Sequence, residues 1–294
     1  MKDMTIQSMV TYLGRYVYTL LGPHNSTLLA HSWFGRCLYR FMDDKPNTIR
    51  LYHSKFGIKL LLFPQEAQSF GINYLGVINP FETNVLCQIL HHGDVVLDVG
   101  TYVDGWYTLL TSKLVGKNGK VYAFEPIPSY FKRLQQNIRI NKVSNVVLNN
   151  CALASHGGKR HMYIANESSS FYQAYAESRI DAPTKEISVP TQTIDAFIRH
   201  NKITQVNFIK IDVEGAEMDV LKGAAQTLKR FKPDILLELI DDNVRASGHE
   251  SLDILTFMKK DGYTPYCITK KGLSAFTFGI RPTHNVFFRF QSLL

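Results

Sequence analysis

The sequence has few cysteines, and none of them lie close together. Cys37, Cys87, Cys151 and Cys267 form no C-x-x-C pair. That excludes the usual zinc and redox signatures and leads us to expect a reducing, cytoplasmic setting. No apolar run is long enough to span a bilayer, so a soluble globular chain is expected. Near the start, Arg15 interrupts the apolar residues and no small-residue cleavage site follows, which argues against a signal peptide. Repeats and low-complexity segments are absent. Lys and Arg number 33 against 25 Asp and Glu, for a net charge of +8. The basic residues nevertheless come as isolated pairs, such as Lys132-Arg133, Lys229-Arg230 and Lys270-Lys271. Without a basic stripe interleaved with aromatics, nucleic acid is not an expected partner. Attraction to anionic substrates or surfaces stays open.

Within 294 residues there is room for one large α/β domain with an extension, or for two small domains. Ile6, Met9, Val10, Leu13, Val17, Leu20 and Leu21 recur at helical spacing. They predict an amphipathic helix packed on the domain, or one lying on a membrane surface or at a dimer contact. Residues 1–90 read as a helical and β-rich extension capping the remainder, 91–294. From Gly93 onward, strand-like and helix-like stretches alternate. "DVVLDVG" reads as a strand buried on both faces, "WYTLLTSKLVG" as a helix ending at Gly116, and "KVYAFEP" as a second strand stopped by Pro126. "SYFKRLQQNIRIN" reads as a helix with Ser129 as its N-cap, and "NVVLNNCAL" as a third strand. "VNFIKIDVEG", the helix "AEMDVLKGAAQTLKRF", "DILLELI" and the closing pair "YTPYCIT" and "HNVFFRF" follow. This alternation predicts a mostly parallel sheet with helices on both faces.

In such sheets the ligand binds beyond the carboxyl ends of the strands. "VVLDVGTYVDGWY" ends the first strand there, but it holds no G-x-G-x-x-G for a pyrophosphate. Instead Gly100 is followed by Gly105, with Asp104 just before it, and a carboxylate there would repel phosphate. A ligand with a cationic amine and no phosphate fits better, as S-adenosylmethionine would. Asp98 could accept from its ammonium, directly or through water, and Gly100 could leave room for the adenosyl group. Glu125, ending the second strand, could accept both ribose hydroxyls. Alternatively, Asp98 and Glu125 are a helix cap and a solvated strand end.

"VVLDVGTYVDGWYTLL", "KVYAFEPIP", "VPTQTIDAF" and "VNFIKIDVEGAEMDVLKGA" together resemble the successive motifs of the FkbM-family methyltransferases, over about Gly93 to Phe290. The resemblance implies a class I, Rossmann-like methyltransferase fold with a seven-stranded sheet and an antiparallel closing strand. It implies S-adenosyl-L-methionine as cofactor and O-methylation as the usual reaction. The cofactor-binding stretch would then be Asp98, Val99, Gly100, Thr101 and Gly105, with Glu125 and Pro126. The family pattern is "DVGAN-x-G". This chain has Thr101-Tyr102 for Ala-Asn and one extra residue before Gly105.

Period-two alternation puts Lys210 and Asp212 on one face of "FIKIDVEG". Asp212 or Glu214 could serve as general base toward a hydroxyl, with Lys210 beside them; His249 and His284 are further candidates. Asp212, Glu214, Glu238, Asp241 and Asp242 end adjacent predicted strands and could hold a hard cation. The reading preferred on sequence has Glu217 capping its helix, Glu214 structural, Asp241 and Asp242 solvated, and no metal. "NESSSFYQAYAES", Asn166 to Ser178, could stack on a sugar, and "GINYLGVINPFE" could bring Tyr74 and Glu82 over the site as a lid. The expected acceptor is a hydroxyl on a glycan or small natural product. The alternatives are a silent methyltransferase-fold binding protein, motivated by the altered loop, and an NAD-dependent oxidoreductase, which lacks its fingerprint here. An RNA 2′-O-methyltransferase is disfavoured because "DILLELI" supplies no second lysine.

Overall fold

A computed structural model of the protein describes residues 48–64, 66–165, 168–172, 184–277 and 285–291. The expected N-terminal amphipathic helix, His284 and most of the Asn166–Ser178 loop lie outside them. The described chain begins with β1 (Arg50–His53) and β2 (Lys59–Leu62), an antiparallel hairpin, then α1 (Ala67–Leu75) and α2 (Pro80–Ile89). An alternating run follows: β3 (Val95–Val99), α3 (Trp106–Val115), β4 (Lys120–Phe124), α4 (Pro128–Asn141) and β5 (Val146–Asn149). Next come β6 (Ala152–Leu153), β7 (Gly158–Ala165), β8 (Ser168–Ser170) and β9 (Thr184–Gln192). The rest is α5 (Ile194–His200), β10 (Phe208–Ile211), α6 (Glu217–Lys222), α7 (Ala225–Phe231), β11 (Asp234–Glu238), α8 (Asp241–Arg245), α9 (Ser251–Lys260), β12 (Tyr263–Thr269), β13 (Gly272–Ala275) and β14 (Asn285–Phe290).

The main sheet has the order β13-β12-β14-β11-β10-β3-β4-β5. From β5 to β11 every neighbouring pair is parallel, and β14 inserts antiparallel between β11 and β12. The closing antiparallel strand is present, and the sheet has eight strands where seven were expected. The eighth is β13, which turns back on β12 at the edge. Strand order reverses between β3 and β10. Their two exit loops therefore meet at the switch point, where an open α/β sheet binds its ligand.

Both faces of the sheet are buried, which is why its strands read as continuous apolar runs. Leu97, Ile209, Ile235 and Leu237 join one core with α5, α6, α7 and α9. Val96, Phe208, Leu236 and Phe287, one residue out of phase, join a second core. That second core also holds Leu60 and Leu62 of β2, Ile72 of α1 and Leu86 of α2. Residues 58–90 thus pack directly on the sheet.

Three local expectations change. "NVVLNNCAL" is two strands in two sheets: β5 ends the main sheet, while β6 joins a second sheet of order β6-β9-β7-β8. Asn150 sits at the bend, donating from Nδ2 to the carbonyls of Glu125 at 2.8 Å and Pro126 at 3.1 Å. The long helix after β10 is broken into α6 and α7 at Gly223, where a Cβ would lie 2.1 Å from the Ala154 carbonyl oxygen. Asp195 then accepts from the backbone N–H groups of Gln226 and Thr227, satisfying donors in the first turn of α7. Ser129 is not an N-cap, because α4 already starts at Pro128 with Ile127 as its cap residue. Proline suits that first turn, having no N–H to leave unpaired. No helix among the described residues is long and apolar enough to cross a membrane.

Candidate functional site

Asp98, near the end of β3, is only 1% exposed. Thr108 of α3 donates its hydroxyl to Oδ2 at 2.5 Å, while Oδ1 has no hydrogen-bond partner and lies 3.8 Å from Lys210 Nζ. Burial raises the Asp98 pKa and the Lys210 charge opposes the rise. Val99, next to it, is buried. Gly100 has a φ of 81°, and a Cβ there would fall 1.7 Å from the backbone oxygen of Asp212. Its bareness is therefore required by the exit of β10. Gly105 likewise answers to packing: at φ 62° its Cβ would sit 2.3 Å from Leu134 Cδ1 of α4.

Between these glycines the extra residue is absorbed by a turn. Tyr102 adopts a φ of 59° and donates its N–H to Glu125 Oε2 at 3.0 Å. Val103 accepts at its carbonyl from Asn137 Nδ2 of α4. Thr101 is buried with its hydroxyl unpartnered. Asp104 Oδ1 accepts from Trp106 N at 2.6 Å and so serves a donor of the first turn of α3. Burial pushes the Asp104 carboxyl up to about 7. In the unfolded chain an aspartate titrates near ~3.9. Because the folded pKa is the higher one, stability is full at low pH and is lost as pH rises from ~4 to ~7. Asp104→Asn keeps the acceptor for Trp106 and removes the buried charge. It should raise the melting temperature at pH 8, with the gain vanishing by pH 4. An unchanged or lowered melting temperature at pH 8 would show the charge is not a burden.

Glu125 follows β4 and is buried, with Oε1 accepting from Ile127 N at 2.9 Å and Oε2 from Tyr102 N. Desolvation raises its pKa to about 7 against those two donors. Pro126 beside it is half-buried. Two backbone donors occupy half of the carboxylate's acceptor capacity, which leaves room for two more.

Lys210 lies inside this edge. Its Nζ donates to the Gly100 carbonyl at 2.7 Å, sits 3.1 Å from Asp212 Oδ2, and rests 5.1 Å from the centre of the Tyr107 ring. Burial alone would lower the Lys210 pKa, but Asp212 and Asp98 raise it past its usual value. Lys210 thus keeps its charge beside Asp212, on the face of β10 that the two residues share. The Asp212 side chain is 32% exposed. Glu214 has a φ of 52° and accepts at Oε2 from Asn243 Nδ2 of α8 at 2.7 Å. One carboxylate oxygen each from Asp212, Glu214 and Glu238 lie within 4.8 Å of one another. Burial first, then the charges of Asp212, Glu214 and Glu217, hold the Glu238 carboxyl well above its usual range. Glu217 does not cap α6 as expected: the helix has no side-chain cap, and Oε1 accepts instead from Gly215 N, ahead of the helix, at 3.1 Å.

The remaining candidates lie outside that group of three carboxylates. Asp241 and Asp242 stand in the first turn of α8 and pair with Arg245 at 3.7 and 3.6 Å. His249 faces Asp253 at 3.9 Å. Phe171 is buried beneath the Arg160 guanidinium, and the Tyr172 hydroxyl donates to Asp219 Oδ2, so these aromatics tie the second sheet to α6. Glu82 is buried in α2 and accepts from Asn285 Nδ2 at 3.1 Å, which brings that helix to the carboxyl edge beside Glu238. Tyr74 falls in α1. Sequence reading missed Thr108, Tyr107, Asn79 and Asn285. Asn79 donates to the Tyr107 hydroxyl at 2.9 Å from a left-handed backbone. A first-turn hydroxyl after a strand-end acid would have pointed to Thr108.

Residues 98–265 match the family model described as the methyltransferase FkbM domain. "Methyltransferase 1" of Beauveria bassiana is 27% identical over 162 residues, covering 50% of this chain and 64% of that protein. Hexuronic acid methyltransferase AglP of Haloferax volcanii is 29% identical over 147 residues, covering 49% and 56%. The chain thus spans less than two thirds of these curated relatives. Among solved structures, the methyltransferase FkbM of Methylobacillus flagellatus KT is similar with a TM-score of 0.46 at 18% identity, covering 76% of this chain and 54% of that one.

Proposed function

The chain belongs to the FkbM methyltransferase domain family, and from that premise we propose that it methylates a hydroxyl of a glycan or small natural product using S-adenosylmethionine. One observation carries the reading. At the switch point of the sheet, a single buried ammonium, Lys210, ties the backbone of the glycine loop to Asp98 and Asp212. Donor-side and acceptor-side residues are thereby held in one electrostatic unit.

The residues present fit the methyl donor. Asp98 keeps a buried acceptor oxygen without a partner, suited to an ammonium directly or through water, and the Thr101 hydroxyl of the glycine loop is also unpartnered. Glu125 retains acceptor capacity for a ribose diol, with Pro126 next to it. Val99, Gly100 and Gly105 would contribute backbone only. When bound, the donor supplies an already activated methyl group, so this chain's task is alignment and proton removal. Asp212, partly exposed and held by Lys210, would take the acceptor's proton; Glu214 is the second candidate. The Haloferax volcanii relative, named for a hexuronic acid, supports a sugar acceptor. Free Cys87, Cys151 and Cys267 suit a cytoplasmic enzyme.

The test is binding of S-adenosylhomocysteine to the full chain. At ~100 times its dissociation constant it should add ~2.7 kcal/mol of stability, read as a rise in melting temperature. Glu125→Ala should weaken that binding by ~1–3 kcal/mol, since a charged acceptor is stripped from two hydroxyls. No thermal shift at millimolar ligand would count decisively against the proposal.

A further inference from the structure

Building on the proposed methyl transfer, we propose that Tyr107 is a positioning residue for it: the face of its ring holds the Lys210 ammonium against Asp212, and Asn79 locks the ring in place. The Lys210 side chain is 5% exposed. An ammonium has three N–H donors to place. The Gly100 carbonyl takes one at 2.7 Å, and Asp212 lies 3.1 Å away. Asp98, at 3.8 Å, is beyond hydrogen-bond distance. Lys210 Nζ also lies over the Tyr107 ring, 5.1 Å from its centre, within the range where an aromatic face attracts a cation. A ring suits this place better than a further carboxylate would. It holds the ammonium without a negative charge that would repel Asp212 or compete with it for the acceptor's proton.

The ring is itself held. Tyr107 follows Trp106 at the start of α3 and is buried. Its hydroxyl accepts from Asn79 Nδ2 at 2.9 Å. Asn79 immediately precedes α2, a place where an asparagine side chain ordinarily accepts from the first-turn N–H groups. Here it caps nothing and reaches across to Tyr107 instead. It also stands before Pro80, which favours extended backbone in its predecessor, yet its φ is 44° and its ψ 70°. Such a conformation persists only where the surroundings enforce it. The neighbouring contacts do so. Thr83 N donates to the Asn79 carbonyl at 2.9 Å, Trp106 Nε1 to Thr83 Oγ1 at 3.1 Å, and Asn285 Nδ2 to Glu82 Oε1 at 3.1 Å. The first turn of α2 is thereby tied to α3 on one side and to β14 on the other. The segment before β3 thus reaches the site through one ring.

The test uses nuclear magnetic resonance of the full chain with its lysines isotope-labelled at Cε, so the contact is read without any activity. Protons above a ring face shift upfield. The parent should therefore show a displaced Lys210 ε-methylene signal, identified by its loss in K210R. K232R sets apart Lys232, which lies 4.3 Å from the centre of the Phe290 ring. Y107L should return the Lys210 signal to the ordinary lysine position, and N79A should move it part of the way. Turnover per S-adenosylhomocysteine-binding site should fall ~10-fold in Y107L with the acceptor KM within ~3-fold, the size of a lost desolvated contact between ammonium and ring. Y107F keeps the ring without its tether and should fall between Y107L and the parent. A purely structural role would instead lower the number of sites, with normal turnover at each and the Lys210 signal unmoved. If Y107L does not fold, the parent decides: no displaced Lys210 signal there would overturn the contact. Equal turnover per site in Y107L and the parent, or Y107F as slow as Y107L, would overturn the positioning role alone. A displaced signal in a protein that binds no S-adenosylhomocysteine keeps the contact and overturns the methyl-transfer reading.

Discussion

Gly100→Ala should leave little stably folded protein, with a loss above ~4 kcal/mol in urea unfolding. Two costs add at this position. At φ 81° any L side chain is strained by ~1–2 kcal/mol. The new methyl would also overlap the Asp212 backbone, 1.7 Å from its oxygen and 2.8 Å from its carbonyl carbon. Neither side can yield cheaply. Asp212 N is bonded to Val99 O at 3.0 Å, and the Gly100 carbonyl accepts from Lys210. Separating them opens the sheet at its centre and releases a buried ammonium. Gly248→Ala is the control, because Gly248 has nearly the same φ, 79°, but nothing within 4 Å of the added carbon. It should lose only the conformational part, ~1–2 kcal/mol. Equal losses in the two variants would show that the approach to Asp212 is not what demands glycine at position 100.

Position 100 also marks the boundary of what can be read from the sequence. That a glycine follows a buried, acid-ended strand is legible, and so is the carboxyl edge where it sits, because burial on both faces writes a continuous apolar run. The partner that makes glycine necessary belongs to a strand far away in the chain. The same holds for Glu238, whose distance from Asp212 depends on the register of β10 with β11. Lys210 and Asp212 were legible as a pair because strand periodicity is local. Gly223 illustrates the converse: helical spacing runs through it unbroken, and only contact with the Ala154 carbonyl interrupts the helix. The α2 contribution, with Glu82 on Asn285 and Asn79 on Tyr107, comes from a segment outside the alternating pattern and from the antiparallel β14. No spacing rule links such segments. The extra loop residue was visible, but not its consequence, a left-handed Tyr102 whose N–H goes to Glu125.

Asp212→Asn should cut turnover by ~10²–10⁴-fold while leaving S-adenosylhomocysteine affinity and the fold nearly unchanged. The fold is expected to survive because the variant leaves Lys210 with compensation: the Gly100 carbonyl at 2.7 Å and the Asp98 carboxylate at 3.8 Å stay in place. The amide also relieves repulsion with Glu238, whose pKa Asp212 helps to raise. Donor binding is expected to survive because the residues assigned to it, Asp98 and Glu125, keep their own partners, Thr108 and the Tyr102 and Ile127 amides. What disappears, on the proposed reaction, is the partly exposed carboxylate that would accept the hydroxyl's proton. A purely structural role predicts the reverse pattern: a lower melting temperature with near-normal turnover in the molecules that stay folded. The measurement is turnover per cofactor-binding site, with any acceptor that supports activity in the parent. Equal turnover in the two proteins would remove Asp212 from the chemistry and pass the proton to Glu214, which is turned toward the same edge and held by Asn243.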